Sequence, residues 1–281
     1  IRIRIMYLTD RMPIWPRSSQ TGRIVMEILV HSPALLVGLG AAALVIFIGI
    51  ARDLMYRANP ERKRGSTMTQ YRNTAASLWG LCLVCLVCWS LSGQPLADMG
   101  LTFPTGWQAW LVWGLAAASI AYLFYSAITT ALDRATRIKL RADFAQAEGF
   151  DLIRPRTTAE HIGFQGLSIT AGVTEEIIFR GFLISTLALA MPVWVAALIV
   201  VGVFLVAHAY QGVSGMLRIL PITVFMTAVF LIGGSLWPAI LIHIAVDAGA
   251  GLLVAIVDAH RDADEAHQDA ETASEANALP A

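Results

Sequence analysis

The stretch Thr174–Gly181, which reads TEEIIFRG, places two acids and an arginine inside a segment that is otherwise almost entirely apolar. Between His161 and Val257 the chain has only five charged side chains. On insertion scales, an acid or an arginine at the centre of a membrane helix costs about 2.5–3.5 kcal/mol, so three of them within one short stretch need a compensating role. The stretch therefore indicates a functional site inside a membrane protein.

The composition of the whole chain agrees with this interpretation. Of its 281 residues, 57% are hydrophobic and 14% are charged, whereas about a quarter of the residues of a soluble domain are charged. Apolar runs long enough to cross a bilayer, about 20 residues each, occur at 30–51, 75–93, 107–132, 163–190, 192–210, 215–233 and 236–257. The sequence predicts an all-α, polytopic membrane helix bundle of about seven transmembrane helices, within a range of about six to eight.

The distribution of basic residues predicts the topology. Arginine and lysine cluster in the linkers 52–74 and 133–160, whereas the linker 94–106 contains neither. By the positive-inside rule, the two basic linkers and the C-terminus lie in the cytoplasm. The chain has 18 arginines and 2 lysines, a bias that suggests a bacterial inner (plasma) membrane. Because the chain has apolar runs of spanning length, we expect the lipid bilayer as a partner. The formal net charge is zero, so we expect no binding of nucleic acid.

We divide the chain into three regions. Residues 1–94 form an N-terminal segment with two membrane helices and a basic linker, and residues 95–257 form the functional core. Residues 258–281 carry seven acids and one arginine, a composition typical of a disordered cytosolic tail. The cysteines of the second apolar run, Cys82, Cys85 and Cys88, have no nearby histidine to complete a metal site, so we expect them to be structural.

The spacing of the polar residues separates two roles. In a helix, Glu176 and Arg180 face one another, whereas Glu175 is turned about 100° away. We expect Glu176 and Arg180 to form an ion pair. Glu175 lacks an adjacent cation, which favours a role as a general base. Because His208, His243 and Asp247 lie on two later apolar runs, we expect the four residues to converge on one cavity.

The predicted spans raise a difficulty for this convergence. With a rise of about 1.5 Å per residue, His208 lies near the cytoplasmic end of its span and His243 within two turns of the outer end. Convergence requires that the helix of span 192–210 continues past Tyr210, or that the chain at Gly233-Gly234 enters the protein before the last helix begins.

Three motifs resemble those of a known family. Glu175-Glu176-x-x-x-Arg180, Phe204-x-x-x-His208 and His243-x-x-x-Asp247 are similar to the motifs of the CaaX-protease and bacteriocin-processing (CPBP, or Abi) family of intramembrane proteases. The segment Leu96–Leu101 resembles a weaker upstream signature of that family. The resemblance covers roughly residues 95–257.

The resemblance implies an endopeptidase that hydrolyses peptide bonds of a membrane-associated or peptide substrate. It implies that Glu175 activates a water molecule with help from His208, and that His243 and Asp247 stabilise the oxyanion or orient water. It also implies three supporting residues that do not contact the substrate: Glu176, Arg180 and Phe204. Of these, Glu176 and Arg180 would fix the helix and adjust the reactivity of Glu175. Many CaaX-type members have Asn where this chain has Asp247, and an ionised Asp cannot donate a hydrogen bond.

Metal dependence stays open at this point. Two histidines and a carboxylate match the ligand types of catalytic zinc, and a bound divalent metal would use His208, His243, Glu175 and Asp247. The same residues also suit a reaction without metal, and the chain has no His-Glu-x-x-His motif.

Two other classes of function remain as alternatives. One is a non-catalytic membrane scaffold or bacteriocin-immunity protein. The other is a proton-coupled transporter, because acids and histidines inside a membrane also mark ion paths. The chain lacks the matching interrupted segments of an inverted repeat, which argues against the transporter.

Overall fold

A computed structural model describes residues 32–59, 61, 65–147, 150 and 153–278, with side chains described up to residue 270. The part of the N-terminal region before residue 32 lies outside this description. The described elements are α1 (Pro33–Ala58), α2 (Thr67–Leu91), a 3₁₀ turn (Leu96–Met99), α3 (Gly106–Leu132), α4 (Arg134–Ala145), α5 (Thr158–Glu175), a π-helix (Glu176–Ile184), a short α-helical end (Ser185–Ala188), α6 (Val193–Ala207), a second 3₁₀ turn (Ala209–Gln211), α7 (Gly212–Gly233), α8 (Leu236–Ala259) and α9 (Arg261–Ala278).

The helix that carries the charged stretch begins at a capping box. The side chain of Thr157 accepts a hydrogen bond from the backbone of Glu160, and the Glu160 side chain accepts one from the backbone of Thr157. This reciprocal arrangement satisfies backbone donors that a helix N-terminus otherwise leaves open. The helix then runs without a break from Thr158 to Ala188, changing to π geometry at Glu176.

The core of the fold surrounds α5 and α8. Helix α8 packs between α5 and α3, and α5 also packs against α2, which in turn packs against α1. All nine residues of the π-helix are buried. Its Phe182 packs close to Gly38 of α1, where an added Cβ would lie 2.4 Å from the ring. The helix with the charged stretch is therefore the centre of the bundle.

Helix α8 begins inside the protein. Gly234 ends α7 in the left-handed conformation, with φ of 58°, and Ser235 and Leu236 are fully buried. The backbone N–H of Leu236 donates to the carbonyl of Gly100 at 2.9 Å, in the upstream Leu96–Leu101 segment. His243 thus lies about 10 Å along a helix that starts within the bundle. Of the two arrangements that allow convergence, the structure has the entry at Gly233-Gly234. The other, a helix that continues past Tyr210, does not occur, because α6 ends at Ala207.

The number of membrane spans differs from the predicted seven. Among the described residues, five helices are long and apolar enough to cross a membrane. They are Pro33–Ala58, Thr67–Leu91, Gly106–Leu132, Ala209–Gly233 and Leu236–Ala259. The other two predicted spans, 163–190 and 192–210, correspond to the helix with the charged stretch and to α6. Helix α6 has 15 residues and is about 22 Å long, which is short of a hydrocarbon core of about 30 Å. The all-helical membrane fold is confirmed, and the count of seven is not.

The expected disorder of the tail is wrong over much of its length, because residues 261–278 form α9. Asp264 of this helix is buried and receives hydrogen bonds from Nε of Arg137 at 2.9 Å and from Nη2 of Arg137 at 2.7 Å. Arg141 donates to the carbonyl of Val257, near the end of α8. Composition predicted an unpaired acidic segment, and the basic linker supplies its partner.

We predict that Asp264→Asn releases α9 from the linker. The hydrogen bond from Arg137 lowers the pKa of Asp264. The pair therefore stabilises the docked position of α9 to its full extent above about pH 3.9, the ordinary pKa of Asp. This stabilisation is lost only as the pH falls through the lower folded-state value. At pH 7, amide hydrogen exchange in residues 261–278 should become about tenfold faster, which corresponds to a docking loss of about 1.4 kcal/mol.

Asp262→Asn is the matched control, because Asp262 is exposed and the substitution removes the same formal charge. Equal exchange rates in the two variants would show that the Arg137–Asp264 pair does not hold α9.

Candidate active site

The predicted ion pair within the charged stretch is confirmed. Arg180 Nη1 donates to Glu176 Oε1 at 2.9 Å, with both side chains at most 1% exposed. The same guanidinium donates to the carbonyl of Thr223 at 3.2 Å and to Oγ1 of Thr227 at 3.4 Å, both on α7. Its carbon also lies 4.7 Å from the centre of the Phe204 ring, a cation–π contact to α6. Arg180 therefore joins the charged stretch to two neighbouring helices.

Glu176 has a second partner that the sequence did not predict. Its Oε1 lies 2.7 Å from Nδ1 of His243 on α8. A carboxylate paired with arginine accepts hydrogen bonds, so Nδ1 of His243 is the donor. Glu176 therefore orients His243, and among the described residues no hydrogen bond joins Glu176 to Glu175, which was expected to be tuned by it.

The orientation of His243 places its other nitrogen beside two carboxylates. Nε2 lies 3.9 Å from Oε2 of Glu175 and 3.6 Å from Oδ2 of Asp247. Within the described part of the chain, Oε2 of Glu175 is buried and has no hydrogen-bond partner. A buried acceptor normally has a partner in the protein or in ordered water. Oε2 of Glu176 also has no hydrogen-bond partner among the described residues, but only Glu175 lines the cavity described below, so Glu175 is the acid that is available for a water molecule or a substrate.

His208 reaches the same place from the end of α6. Its Nδ1 lies 2.9 Å from the carbonyl oxygen of Phe204. Because a carbonyl only accepts, Nδ1 carries the proton, and the neutral imidazole then presents Nε2 as an acceptor. The ring stacks on Phe204 at 4.4 Å between centroids, and the edge of Phe204 also packs against His243 at 6.4 Å. Phe204 separates and positions the two imidazoles.

A single cavity of about 930 Å³ brings the predicted residues together. Glu175, His208, His243, Asp247 and Phe204 all line it, so the expected convergence is confirmed. Glu176 and Arg180 lie behind this wall, fully buried. The geometry leaves the catalytic roles of the lining residues as predictions, and it gives each of them a position from which to act.

Part of the cavity wall comes from residues outside the three motifs. Arg52 and Arg57 of α1 line it together with Tyr210, and Nη2 of Arg57 donates to the carbonyl of Tyr210 at 3.0 Å. In the sequence, the basic residues of α1 predict only the topology of the chain. Tyr210 follows His208 by two positions, which was the one available signal for it.

The donor types near His243 suit a divalent metal, but their arrangement does not form a ligand set. Within the described residues, no group of three or more His, Cys, Asp or Glu side chains is placed to hold a metal ion. We therefore derive no step through a metal, and a chelation experiment given below tests metal dependence.

We predict different effects from truncating the two adjacent acids. Glu176→Ala leaves the Arg180 guanidinium buried without its carboxylate, so the free energy of unfolding should fall by about 3–5 kcal/mol. Glu175→Ala is the matched control: it removes a side chain without a hydrogen bond to Arg180, and the loss should be much smaller. Denaturation of the purified variants in detergent measures both values, and equal losses would contradict the division of roles.

Comparison with known families agrees with the geometry. Residues 159–249 match the family model described as type II CAAX prenyl endopeptidase Rce1-like. Searches among curated proteins and among solved structures gave no match. The matched region contains all three motifs and every predicted residue of the cavity. Residues 159–249 are therefore similar to the Rce1-like family, which agrees with the resemblance carried by the three motifs and supports a CAAX-type protease.

Proposed function

We propose that this protein is an intramembrane endopeptidase that hydrolyses peptide bonds of a membrane-associated or peptide substrate. The observation that carries the proposal is the position of Glu175. Its Oε2 is buried without a hydrogen-bond partner among the described residues, and it faces a cavity shared with His208, His243 and Asp247. Water activation requires an acceptor such as the Glu175 carboxylate, together with a second acceptor, Nε2 of His208, and a possible donor, Nε2 of His243.

The first step is attack by water. The water oxygen forms a bond to the scissile carbonyl carbon while Glu175 accepts a proton from that water. At the same time the electron pair of the C=O bond moves to the carbonyl oxygen. Nε2 of His208, an acceptor in the neutral tautomer fixed by the Phe204 carbonyl, assists by holding the second hydrogen of the water. The product of this step is a tetrahedral oxyanion.

The second step breaks the peptide bond. The oxyanion collapses, the C–N bond breaks, and the proton held by Glu175 passes to the leaving amine. When both nitrogens of His243 are protonated, Nδ1 donates to Glu176 and Nε2 can donate to the oxyanion. Asp247, 3.6 Å from Nε2, orients this imidazole and the water. Donors of this kind contribute about 2.7–4 kcal/mol each to transition-state stabilisation.

The surroundings of the site support a substrate within or beside the membrane. Much of the lining of the cavity of about 930 Å³ is apolar and comes from side chains of α1, α5 and α7, which suits an apolar peptide segment. We also propose a bacterial inner membrane with a cytoplasmic C-terminus. The Arg137–Asp264 pair ties α9 to the basic linker, which the positive-inside rule puts in the cytoplasm.

Glu175→Gln tests the function directly. The substitution removes the proton acceptor and keeps the shape of the side chain, so cleavage should fall by at least about 100-fold while the protein remains inserted and folded. Comparative membrane proteomics of cells with wild-type and Glu175→Gln protein should show an uncleaved substrate that accumulates only with the variant.

The same variant separates the alternatives. A scaffold or bacteriocin-immunity protein keeps its biological effect after Glu175→Gln and shows no accumulated substrate. A proton-coupled transporter loses ion flux in proteoliposomes, again without any change in cleavage. Either result would contradict the protease.

Removal of metal ions tests whether side chains alone carry out the proton transfers. We expect cleavage to survive exhaustive treatment with 1,10-phenanthroline, because every proton transfer above is assigned to a side chain. The measurement is the initial rate before and after treatment. Loss of the rate, followed by recovery on addition of Zn²⁺, would instead favour a metal held by His208, His243, Glu175 and Asp247.

A further inference from the structure

The assigned residues leave the oxyanion short of hydrogen-bond donors. His243 presents one donor nitrogen to the cavity. Asp247 only accepts hydrogen bonds when its carboxylate is ionised, whereas an Asn amide at the same position could donate one. Removal of one such donor typically lowers kcat by about 10²–10³. Stabilisation of the oxyanion therefore calls for a second hydrogen-bond donor, supplied by a cavity residue outside the three motifs.

Tyr210 has the position of such a donor. It lines the cavity together with Glu175, His208, His243 and Asp247. Its ring centroid lies 5.9 Å from that of His208, and its phenol is within electrostatic range of the carboxylates of Glu175 and Asp247. A neutral phenol can donate a hydrogen bond to an anion in such a place without adding a charge.

The phenol proton is available for this role. The phenol oxygen accepts a hydrogen bond from Nε2 of Gln211 at 3.0 Å, so this contact uses a lone pair and leaves the O–H to donate. The backbone of the same residue is fixed from the opposite side. Its carbonyl accepts from Nη2 of Arg57 at 3.0 Å, and Nε of Arg57 donates to Asp53 at 2.7 Å. A donor held at both ends loses little orientational freedom in the reaction.

We propose that Tyr210 donates its phenol O–H to the oxyanion and supplies the hydrogen bond that an ionised Asp247 cannot give. This inference rests on the proposed endopeptidase function. As water adds to the carbonyl, the electron pair moves to the carbonyl oxygen, and the phenol shortens its hydrogen bond without transferring its proton. When the C–N bond breaks, the electron pair returns to re-form C=O, and the phenol is unchanged.

Tyr210→Phe tests the proposal, because it removes the O–H and keeps the ring. The probe is an internally quenched peptide that spans the cleavage site of the substrate that accumulates with Glu175→Gln. We expect kcat to fall by about 100-fold with KM unchanged, since the hydrogen bond forms only with the oxyanion.

Tyr71→Phe is the matched control. Tyr71 also lines the cavity, but its hydroxyl donates to the carbonyl of Ile153. This variant should keep the wild-type kcat, and the unfolding midpoints of both variants in detergent show whether either loses its fold.

A double variant tests the link to Asp247. Asp247→Asn introduces an amide donor at the neighbouring position, so in the Tyr210→Phe background it should restore at least about tenfold of the lost kcat. A residue that only supports the fold would gain nothing from this change. The rescue therefore separates a donor to the oxyanion from a packing role.

The outcomes distinguish the inference from the function on which it rests. If Glu175→Gln abolishes cleavage of the probe while Tyr210→Phe retains the full kcat, the role of Tyr210 is overturned and the endopeptidase stands. A rise in KM at constant kcat would also overturn it, because Tyr210 would then bind the substrate. If no substrate accumulates with Glu175→Gln, or if Glu175→Gln cleaves the probe at the wild-type rate, both proposals fail.

Discussion

The buried carboxylate of Glu176 is the interaction on which the rest of the site depends. One oxygen of this side chain accepts from Arg180 and from His243, and Arg180 reaches α7 and the ring of Phe204 on α6. The charged stretch, α6, α7 and α8 are thus connected through one ion pair. Because charge in an apolar interior is stable only when paired, this connection fixes the helices in one arrangement and fixes the face that His243 shows to the cavity.

Adjacent acids have opposite roles because the helix turns between them. Glu176 points into the packed centre, where two donors satisfy one of its oxygens. Glu175 faces the cavity, where its buried oxygen has no hydrogen-bond partner among the described residues. The change to π geometry also occurs here, at Glu176. π-Helical turns are rare and are frequent at functional sites, and this one coincides with the boundary between the supporting acid and the available acid.

Elements outside the matched region complete the site. Arg57 of α1 holds the turn that carries Tyr210, and the Gly100 carbonyl holds the buried start of α8, which sets the depth of His243. At the other end of α8, the basic linker contacts Val257 and Asp264. Residues 159–249 contain the motifs, but their positions depend on contacts from both ends of the chain.

The sequence by itself determined the helical membrane fold and the pairing of Glu176 with Arg180, which follow from local rules: apolar runs of spanning length, and side chains that meet when they are four positions apart in a helix. It also predicted that Glu175, His208, His243 and Asp247 share one cavity, because polar side chains are rare on these apolar helices and need a common polar site. Only the tertiary structure decided that Glu176 orients His243, that α8 starts within the bundle, that α9 pairs with the linker and that Tyr210 enters the cavity. Each of these joins residues far apart in the chain, and helical periodicity specifies which face a residue occupies but not which distant helix packs against it.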